Sequence, residues 1–332
     1  MSTPQTPATA LKPALNGAKT KTRKRVSKAN AKFEPAHFRE QLLTIIEEGD
    51  EVHFDTLSTR LDVTGNTLEY RRYGETLFEV LITGGIITPG GVVEQDEDIE
   101  SKHHVFAAEN SIEAIRPWVE VFNKLVRRYK YLVRPLCETL KNLMQHVNKW
   151  STADANKLSI LVALLATHTQ LVPLSAVTAL LHDHLVKEGM ALVCLTAILK
   201  IALNELGIQQ LGRLLTKNKL DSRLIEFFPP NKQDEESFAR HFEVEEMKAI
   251  VDWHHGVREN TLKVELVDHV REMVQEEESA RDVASYIAKC SRENHWSESD
   301  VATLVWDAVM GAVDWATRPE TVEAQVLRQT KE

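Results

Sequence analysis

Paired histidines are the residues of this sequence whose types could hold a metal ion. They occur as His103-His104, His182-Asp183-His184 and His254-His255. Residues i and i+2 of a helix point about 200° apart, and adjacent residues also diverge, so we expect these imidazoles not to converge on one ion. The sequence has no Walker phosphate loop and no GxGxxG, GxSxG or HExxH motif. It therefore predicts no metal site, no cofactor and no catalytic residues, which are the features of a protein that is not an enzyme.

Cysteines and apolar runs exclude several other classes of protein. Cys137, Cys194 and Cys290 are odd in number and far apart, so they form neither a disulfide framework nor a zinc knuckle. No run approaches the roughly 18 apolar residues of a membrane-spanning helix. The first ten residues lack the apolar core of a secretory signal. We expect a protein of a reducing, intracellular compartment.

Residues 1–32 form a basic segment in an otherwise acidic chain. The whole chain carries 40 Lys and Arg against 49 Asp and Glu, a net charge of −9. The first 32 residues hold eight of the cations and no acid, so the remaining 300 carry a net charge of −17. Large apolar residues are nearly absent from the segment, which predicts a disordered tail.

The most basic run of this tail contains Lys21, Arg23, Lys24 and Arg25. Such a run is a candidate contact for RNA, the ribosome or another acidic partner, and it also fits a nuclear-import signal. The alternative is a solvated tail that only keeps the protein soluble.

A second basic cluster lies within residues 121–131 and differs from the tail because it is amphipathic. Phe122, Leu125, Val126 and Tyr129 follow the spacing of one apolar helix face. The cations fall mostly off that face, and they are Lys124, Arg127, Arg128 and Lys130. The cluster is either a solvated surface whose arginines pair with nearby acids or a docking patch for an acidic partner or RNA.

Acidic residues are concentrated late in the chain. Residues 233–282 contain 15 acids and 6 bases, and Glu276, Glu277 and Glu278 form a continuous run within them. Runs of this kind are usually solvated helix ends. The alternative is a surface that attracts a lysine-rich partner.

From about residue 35 onward the sequence is a succession of helical patterns. The chain has 13 Gly and 11 Pro in 332 residues, which favours long helices over many short strands. Segments such as 158–165 and 191–203 are apolar almost all round, so each needs neighbours on two sides. Stacked antiparallel helix pairs provide them, and we predict an all-α, HEAT-like helical-repeat solenoid.

Breaks in the pattern set the expected boundaries. Gly207 separates two helices, and the Phe-Phe-Pro-Pro-Asn segment at 227–231 interrupts the pattern firmly. We therefore expect a first helical domain at 33–230 and a second at 243–332. The predicted helices include 67–83, 111–132, 190–204, 208–217, 243–256 and 259–276.

Several long strings resemble a known family. Residues 68–85 read LEYRRYGETLFEVLITGG and closely resemble a segment of the basic leucine zipper and W-two domain proteins, also called initiation factor five mimic proteins. The resemblance covers the chain from about residue 20 to the end and is more specific than any short catalytic motif. Other matching stretches are 21–25, 33–35, 89–91, 105–108, 121–132, 185–189, 228–233, 305–310 and 313–315.

This resemblance implies a fold and a function without catalysis. It implies that 33–230 is a HEAT-like domain akin to the middle domain of initiation factor four G and that 243–332 belongs to a helical W-two domain. It further implies a cytoplasmic translation regulator that mimics initiation factor five, binds initiation factor two through its beta subunit and initiation factor three through its c subunit, and restrains initiation at non-AUG codons. By resemblance, the basic clusters suit factor three or the ribosome, and the acidic residues suit factor two.

The end of the chain departs from the family pattern. The family's W-two domain continues further and carries two acidic–aromatic boxes, absent here, that engage the lysine-rich tail of the factor-two beta subunit. A partial W-two domain would expose its last apolar face. We therefore expect either weakened factor-two binding or a partner that covers this face. Asp307 and Asp314 remain as candidate acidic contacts beside the 276–278 run. Helical spacing of the neighbouring valines suggests core packing, so we expect Trp306 and Trp315 to be structural.

Two other classes of function stay open at this point. The runner-up is a nuclear or RNA-binding adaptor that acts through the basic tail, and its binding would fall steeply with salt. An enzyme would need a pocket that holds converging titratable groups.

Overall fold

Helices make up almost all of the structure, a computed structural model that describes residues 33–47, 53–65, 67–94, 101–313 and 322–327. The predicted all-α class is confirmed. The predicted tail at 1–32 lies outside the described residues.

Twelve α-helices give the framework of the described chain, together with a short helical segment at 322–327 and one two-residue antiparallel pair, β1 (Ile86–Ile87) and β2 (Val93–Glu94). Short 3-10 helices connect some of them, including Val105–Ala107, Lys130–Leu132 and Leu174–Leu180. The helices are α1 (Pro35–Ile46), α2 (Phe54–Thr64), α3 (Gly74–Thr83), α4 (Ile112–Arg128), α5 (Val133–Gln145), α6 (Thr152–Thr167), α7 (Asp183–Glu188), α8 (Met190–Lys217), α9 (Glu235–Val244), α10 (Lys248–Gln275), α11 (Ala280–Asn294) and α12 (Glu298–Gly311).

Alternate helices stack in two layers through the first part of the fold. In one layer α1 packs on α3, α3 on α5, and α5 on the 3-10 helix at Leu174–Leu180. In the other layer α2 packs on α4, α4 on α6, and α6 on α8. This arrangement is the HEAT-like solenoid that the all-round apolar segments predict. In helix α6, for example, every residue from Leu158 to Thr167 is buried, as expected for a helix with neighbours on two sides.

Some predicted helix boundaries hold and others are wrong. Gly207 breaks the regular helical backbone of α8 with φ 73° and ψ 164°, a conformation that favours glycine, so the predicted interruption there is confirmed. The helix predicted over 67–83 begins only at Gly74. The helices predicted over 243–256 and 259–276 are one continuous helix, α10, from Lys248 to Gln275.

Helix α10 runs from one hydrophobic core to the next. The large first core extends along the chain from Phe38 to Ile250 and includes Trp253 at its margin. A small second core is built on Leu266, Val270 and Ala308. The predicted division into domains at 33–230 and 243–332 stays a prediction.

Helix α8 is, by length and composition, apolar enough to cross a membrane. In the structure its residues Ala191, Leu195 and Leu199 are buried, and α8 packs on α6. The break at Gly207 interrupts the helix. Burial in the first core accounts for its apolar composition, since a core helix of this kind has the same sequence character.

Candidate docking surfaces

The basic cluster of residues 121–131 occupies the exposed side of α4 and the turn that follows it. Phe122, Leu125 and Val126 are buried, as their spacing predicts. The cations are all exposed, and they are Lys124, Arg127, Arg128 and Lys130. Two of them, Arg127 and Arg128, lie in the last helical turn, where the helix dipole favours positive charge. The structure therefore places three of the predicted cations on the C-terminal part of α4 and the fourth, Lys130, in the 3-10 helix that follows it.

Two of these four cations pair with acids on α2. The Lys124 Nζ lies 2.7 Å from the Asp55 Oδ1, and the Arg128 Nε lies 3.0 Å from the Asp62 Oδ1. The hydrogen bond and charge of Lys124 hold the pKa of Asp55 below its usual value. Exposed pairs of this kind contribute little to stability, so a stronger acidic partner could replace the aspartates. The two alternatives considered for the cluster, paired surface and docking patch, are thus compatible.

A chain of aromatic rings lies directly beside the basic cluster. Tyr73 stacks on Phe38 at 4.8 Å, Phe38 meets the buried Tyr70 at 6.3 Å, Tyr70 meets Tyr129 at 5.8 Å, and Tyr129 meets Tyr131 at 5.8 Å. The two sequence strings at 68–85 and 121–132 therefore meet in space.

Arginines cover the outer ends of this aromatic chain. The Arg71 Cζ lies 4.9 Å from the centre of the Tyr131 ring, and the Arg72 Cζ lies 5.4 Å from that of Tyr73. Both distances are within the range of a cation–π contact. The arginine–tyrosine pairs were not among the predicted contacts, although the composition of the two segments could have indicated them. Residues 70–73 and 127–131 share an unusual Arg and Tyr composition.

Buried hydroxyl groups fix the tyrosines in place. The Tyr70 Oη donates a hydrogen bond to the Leu61 carbonyl oxygen at 3.1 Å, and the Tyr129 Oη donates one to the Asp62 carbonyl oxygen at 2.7 Å. Burial raises the pKa of Tyr70 to about 12, so this phenol stays protonated and keeps donating. Both bonds attach the aromatic chain to the end of α2.

The acidic residues lie far along the chain, where α10 ends. Glu276, Glu277 and Glu278 are exposed. Glu277 adopts a left-handed conformation with φ 60°, and the Glu278 N–H donates to the Met273 carbonyl oxygen at 3.0 Å, which closes the helix. The run is thus a helix end, as one reading of the sequence predicts, and its three side chains are exposed.

A groove of about 850 Å³ opens beside this acidic run. Its walls come from the end of α10, from α11 and α12, and from Gln325 in the 322–327 segment, with Val283, Ile287, Val305 and Val309 as apolar lining. Glu277 and Glu278 line one end, together with polar residues of the turn before α11. The structure thus joins two of the predicted acidic residues to an apolar groove.

Asp307 is exposed on α12 but does not line the groove, and Asp314 lies outside the described residues. Trp306 is 59% exposed, so the expectation that it is structural is wrong. Its position explains the difference. Trp306 follows Val305 by one residue, which is about 100° around the helix. Because Val305 and Val309 line the groove, the Trp306 side chain points away from the groove side of α12. Trp315 lies outside the described residues.

The predicted tail cations also lie outside the described residues, and they are Lys21, Arg23, Lys24 and Arg25. Their assignment as partner contacts stays a prediction.

The paired histidines of the described chain occupy different kinds of position. His182 precedes α7 with an extended backbone, so its ring lies 5.9 Å from that of His184 instead of diverging as helical geometry would require. His104 caps the 3-10 helix at Val105–Ala107, and His254 is buried against Phe238. The described residues contain no group of three or more His, Cys, Asp or Glu side chains that could hold a metal ion.

Comparisons with known proteins point to one family. A family model described as "5MP1/2 HEAT domain" matches residues 20–264. Proteins named eIF5-mimic protein 1 from Rattus norvegicus and Homo sapiens are each 35% identical over 324 residues, which is 97% of this chain and 76% of theirs. A protein named eIF5-mimic protein 2 from Gallus gallus is 32% identical over 322 residues, with the same coverage of both chains. No solved structure matches.

Proposed function

The chain belongs to the eIF5-mimic protein family, and from that premise we propose that it regulates translation initiation by binding initiation factors rather than by catalysis. Its relatives' name describes imitation of initiation factor five, and imitation requires surfaces that bind the same partners. The observation that carries the proposal is that an exposed basic surface on α4 and an exposed acidic surface at the end of α10 lie on one helical scaffold.

Each surface has a partner of suitable chemistry in this proposal. Lys124, Arg127, Arg128 and Lys130 form the contact for the c subunit of initiation factor three. Glu276, Glu277, Glu278 and Asp307, with Asp314, attract the lysine-rich tail of the beta subunit of initiation factor two, because clustered carboxylates favour cationic partners. Simultaneous occupation of both factors would displace initiation factor five and restrain initiation at non-AUG codons. A cytoplasmic location is part of the proposal.

Charge reversal on each surface tests the assignment. The purified full chain is tested against the factor-three c subunit and, separately, against the lysine-rich tail of factor-two beta. We expect Lys124→Glu with Arg127→Glu to weaken only the first interaction, and Glu276→Lys with Glu278→Lys to weaken only the second. Lys187→Glu, a reversal on the exposed side of α7, is the matched control and should change neither. Binding of both factors that is indifferent to all these variants would refute the surface assignment.

A reporter assay tests the regulatory step separately. Expression of the chain in cells should reduce translation from a CUG-initiated reporter relative to an AUG-initiated one. The charge-reversed variants should lose this effect in proportion to their loss of factor binding. An unchanged CUG to AUG ratio with the wild-type chain would contradict the proposed restraint.

A further inference from the structure

We propose that the surface formed by Arg71, Lys130, Tyr131 and Arg134, named here the Tyr131 face, binds single-stranded RNA. The choice of RNA over DNA rests on the proposed function in translation. The Tyr131 face shares only Lys130 with the basic cluster assigned above. It adds an aromatic ring and two arginines to which no protein partner has been assigned.

Cations without intramolecular acid partners supply the electrostatic part of the site. Arg71, Lys130 and Arg134 are all exposed. In the described part of the chain none of the three forms an ion pair, whereas Lys124 and Arg128 on the neighbouring cluster each hold an aspartate. Phosphate groups can therefore approach these three cations without first displacing a carboxylate, and each contact releases counterions from the nucleic acid.

Tyr131 and Arg71 supply flat surfaces for bases. The Tyr131 ring is 36% exposed, and the Arg71 guanidinium stacks over it at 4.9 Å. Single-stranded RNA is recognised by this combination, since unstacked bases pack on aromatic rings and guanidinium planes while cations follow the backbone.

The site is organised before any ligand arrives. Tyr129 touches Tyr131 at 5.8 Å, and the hydrogen bond of Tyr129 to the Asp62 carbonyl fixes its ring. Gly65 leaves the space that this ring fills, because a Cβ at that position would lie 2.5 Å from the Tyr129 Oη. A platform held by packing loses little conformational entropy on binding.

An acidic peptide is the competing ligand class, and the exposed ring decides against it. Carboxylates would pair with Lys130 and Arg134 as well as phosphates would, but a carboxylate does not stack on the Tyr131 ring as a base does. Stacking also requires no base sequence, so we expect binding with little sequence preference.

Fluorescence anisotropy with a labelled 12-nucleotide RNA of mixed sequence and the full chain tests the proposal. We expect Tyr131→Ala to weaken binding by about 5-fold to 150-fold, the range for loss of one stacked base. Tyr131→Phe, which keeps the ring, should bind within about twofold of the wild-type chain. Lys130→Gln with Arg134→Gln should reduce the slope of log affinity against log salt by about 1.4, since each phosphate contact to a single strand contributes about 0.7.

Matched controls separate this site from others. Lys187→Gln with Arg213→Gln removes two exposed cations from other helices and should leave the affinity unchanged within about twofold. Replacement of Lys21, Arg23, Lys24 and Arg25 by Gln removes the tail cations. In that background the dependence on Tyr131 should persist. Thermal unfolding of every variant verifies that the fold is retained.

Three results would overturn the proposal. Tyr131→Ala that binds RNA like the wild-type chain would remove the stacking platform. RNA binding lost with the tail cations but indifferent to Tyr131 would place the contact in the tail. A poly-glutamate peptide that binds through Lys130 and Arg134, with no RNA binding, would make the surface an acidic-peptide site. Factor binding is measured on the same Tyr131→Ala protein, so a failure here is distinct from a failure of the proposed function.

Discussion

Replacement of Glu79 by glutamine should stabilise the protein at neutral pH and leave it unchanged in acid. Glu79 lies on α3 and is 9% exposed, and its Oε2 accepts only a long hydrogen bond, 3.4 Å, from the Ile87 N–H. Burial raises the pKa of this carboxyl from 4.5 to about 7, and the nearby charge of Glu75 adds to the increase. Burial of a poorly solvated carboxylate therefore opposes folding whenever Glu79 is ionised.

The sign and size of the effect follow from proton linkage. Between pH 4.5 and about 7 the folded chain binds more protons at Glu79 than the unfolded chain, so the free energy of unfolding falls as the pH rises. The rise of the pKa from 4.5 to about 7 corresponds to about 3 kcal/mol of stability, all of which is lost above the folded pKa. Glutamine has the shape of the protonated acid and does not ionise, so the free energy of unfolding of E79Q does not fall in this way as the pH rises.

Thermal unfolding from about pH 4.5 to pH 8 measures the difference. We expect E79Q and the wild-type chain to melt together at the acidic end and E79Q to melt roughly 6–12 °C higher at pH 8, at about 2–4 °C per kcal/mol. E188Q, which replaces an exposed glutamate of α7, is the matched control. Because both proteins share all other titrating groups, those contributions cancel in the comparison. Parallel curves for E79Q and the wild-type chain would refute the raised pKa.

Three further predictions test the packing of the fold. Gly212→Ala should destabilise the protein by about 1–3 kcal/mol in urea unfolding, because a Cβ at this position would collide with the Trp253 indole of α10. Burial lowers the pKa of His254, so stability should fall as the pH drops through about 6.5, and His254→Phe should reduce that fall. Trp118→Ala should cost about 3–5 kcal/mol and Trp306→Ala less than about 0.5 kcal/mol, since their side chains are 2% and 59% exposed; equal losses would contradict the assigned positions.

Local periodicity predicts the fold where a helix is strongly amphipathic or fully buried. The spacing of Phe122, Leu125 and Val126 correctly identifies the buried face of α4, and the apolar character of α6 correctly requires neighbours on two sides. It fails at α2, which was not predicted, because Leu57 and Leu61 are the two buried residues of that helix. Two apolar contacts in eleven residues produce too weak a pattern to recognise.

Long-range contacts account for the rest of what the sequence did not reveal. Arg71 and Tyr131 are 60 positions apart, and no local pattern connects them. Their meeting depends on α3 packing on α5 and on Tyr70 reaching Tyr129. The predicted break at 257–258 is wrong for a similar reason. Helix α10 lacks one continuous apolar face because Ile250 packs in the first core and Leu266 in the second.

This division of α10 also determines how the two charged surfaces act. Ile250 belongs to the first core, and Met273 lies one turn before the acidic run, so at roughly 1.5 Å per residue the helix separates them by about 35 Å. The Debye length at physiological ionic strength is only about 8 Å. Charges at Glu276–Glu278 are therefore screened from the end of the first core at Ile250. The local charges of each surface, rather than the net charge of −9, determine which ligand it attracts.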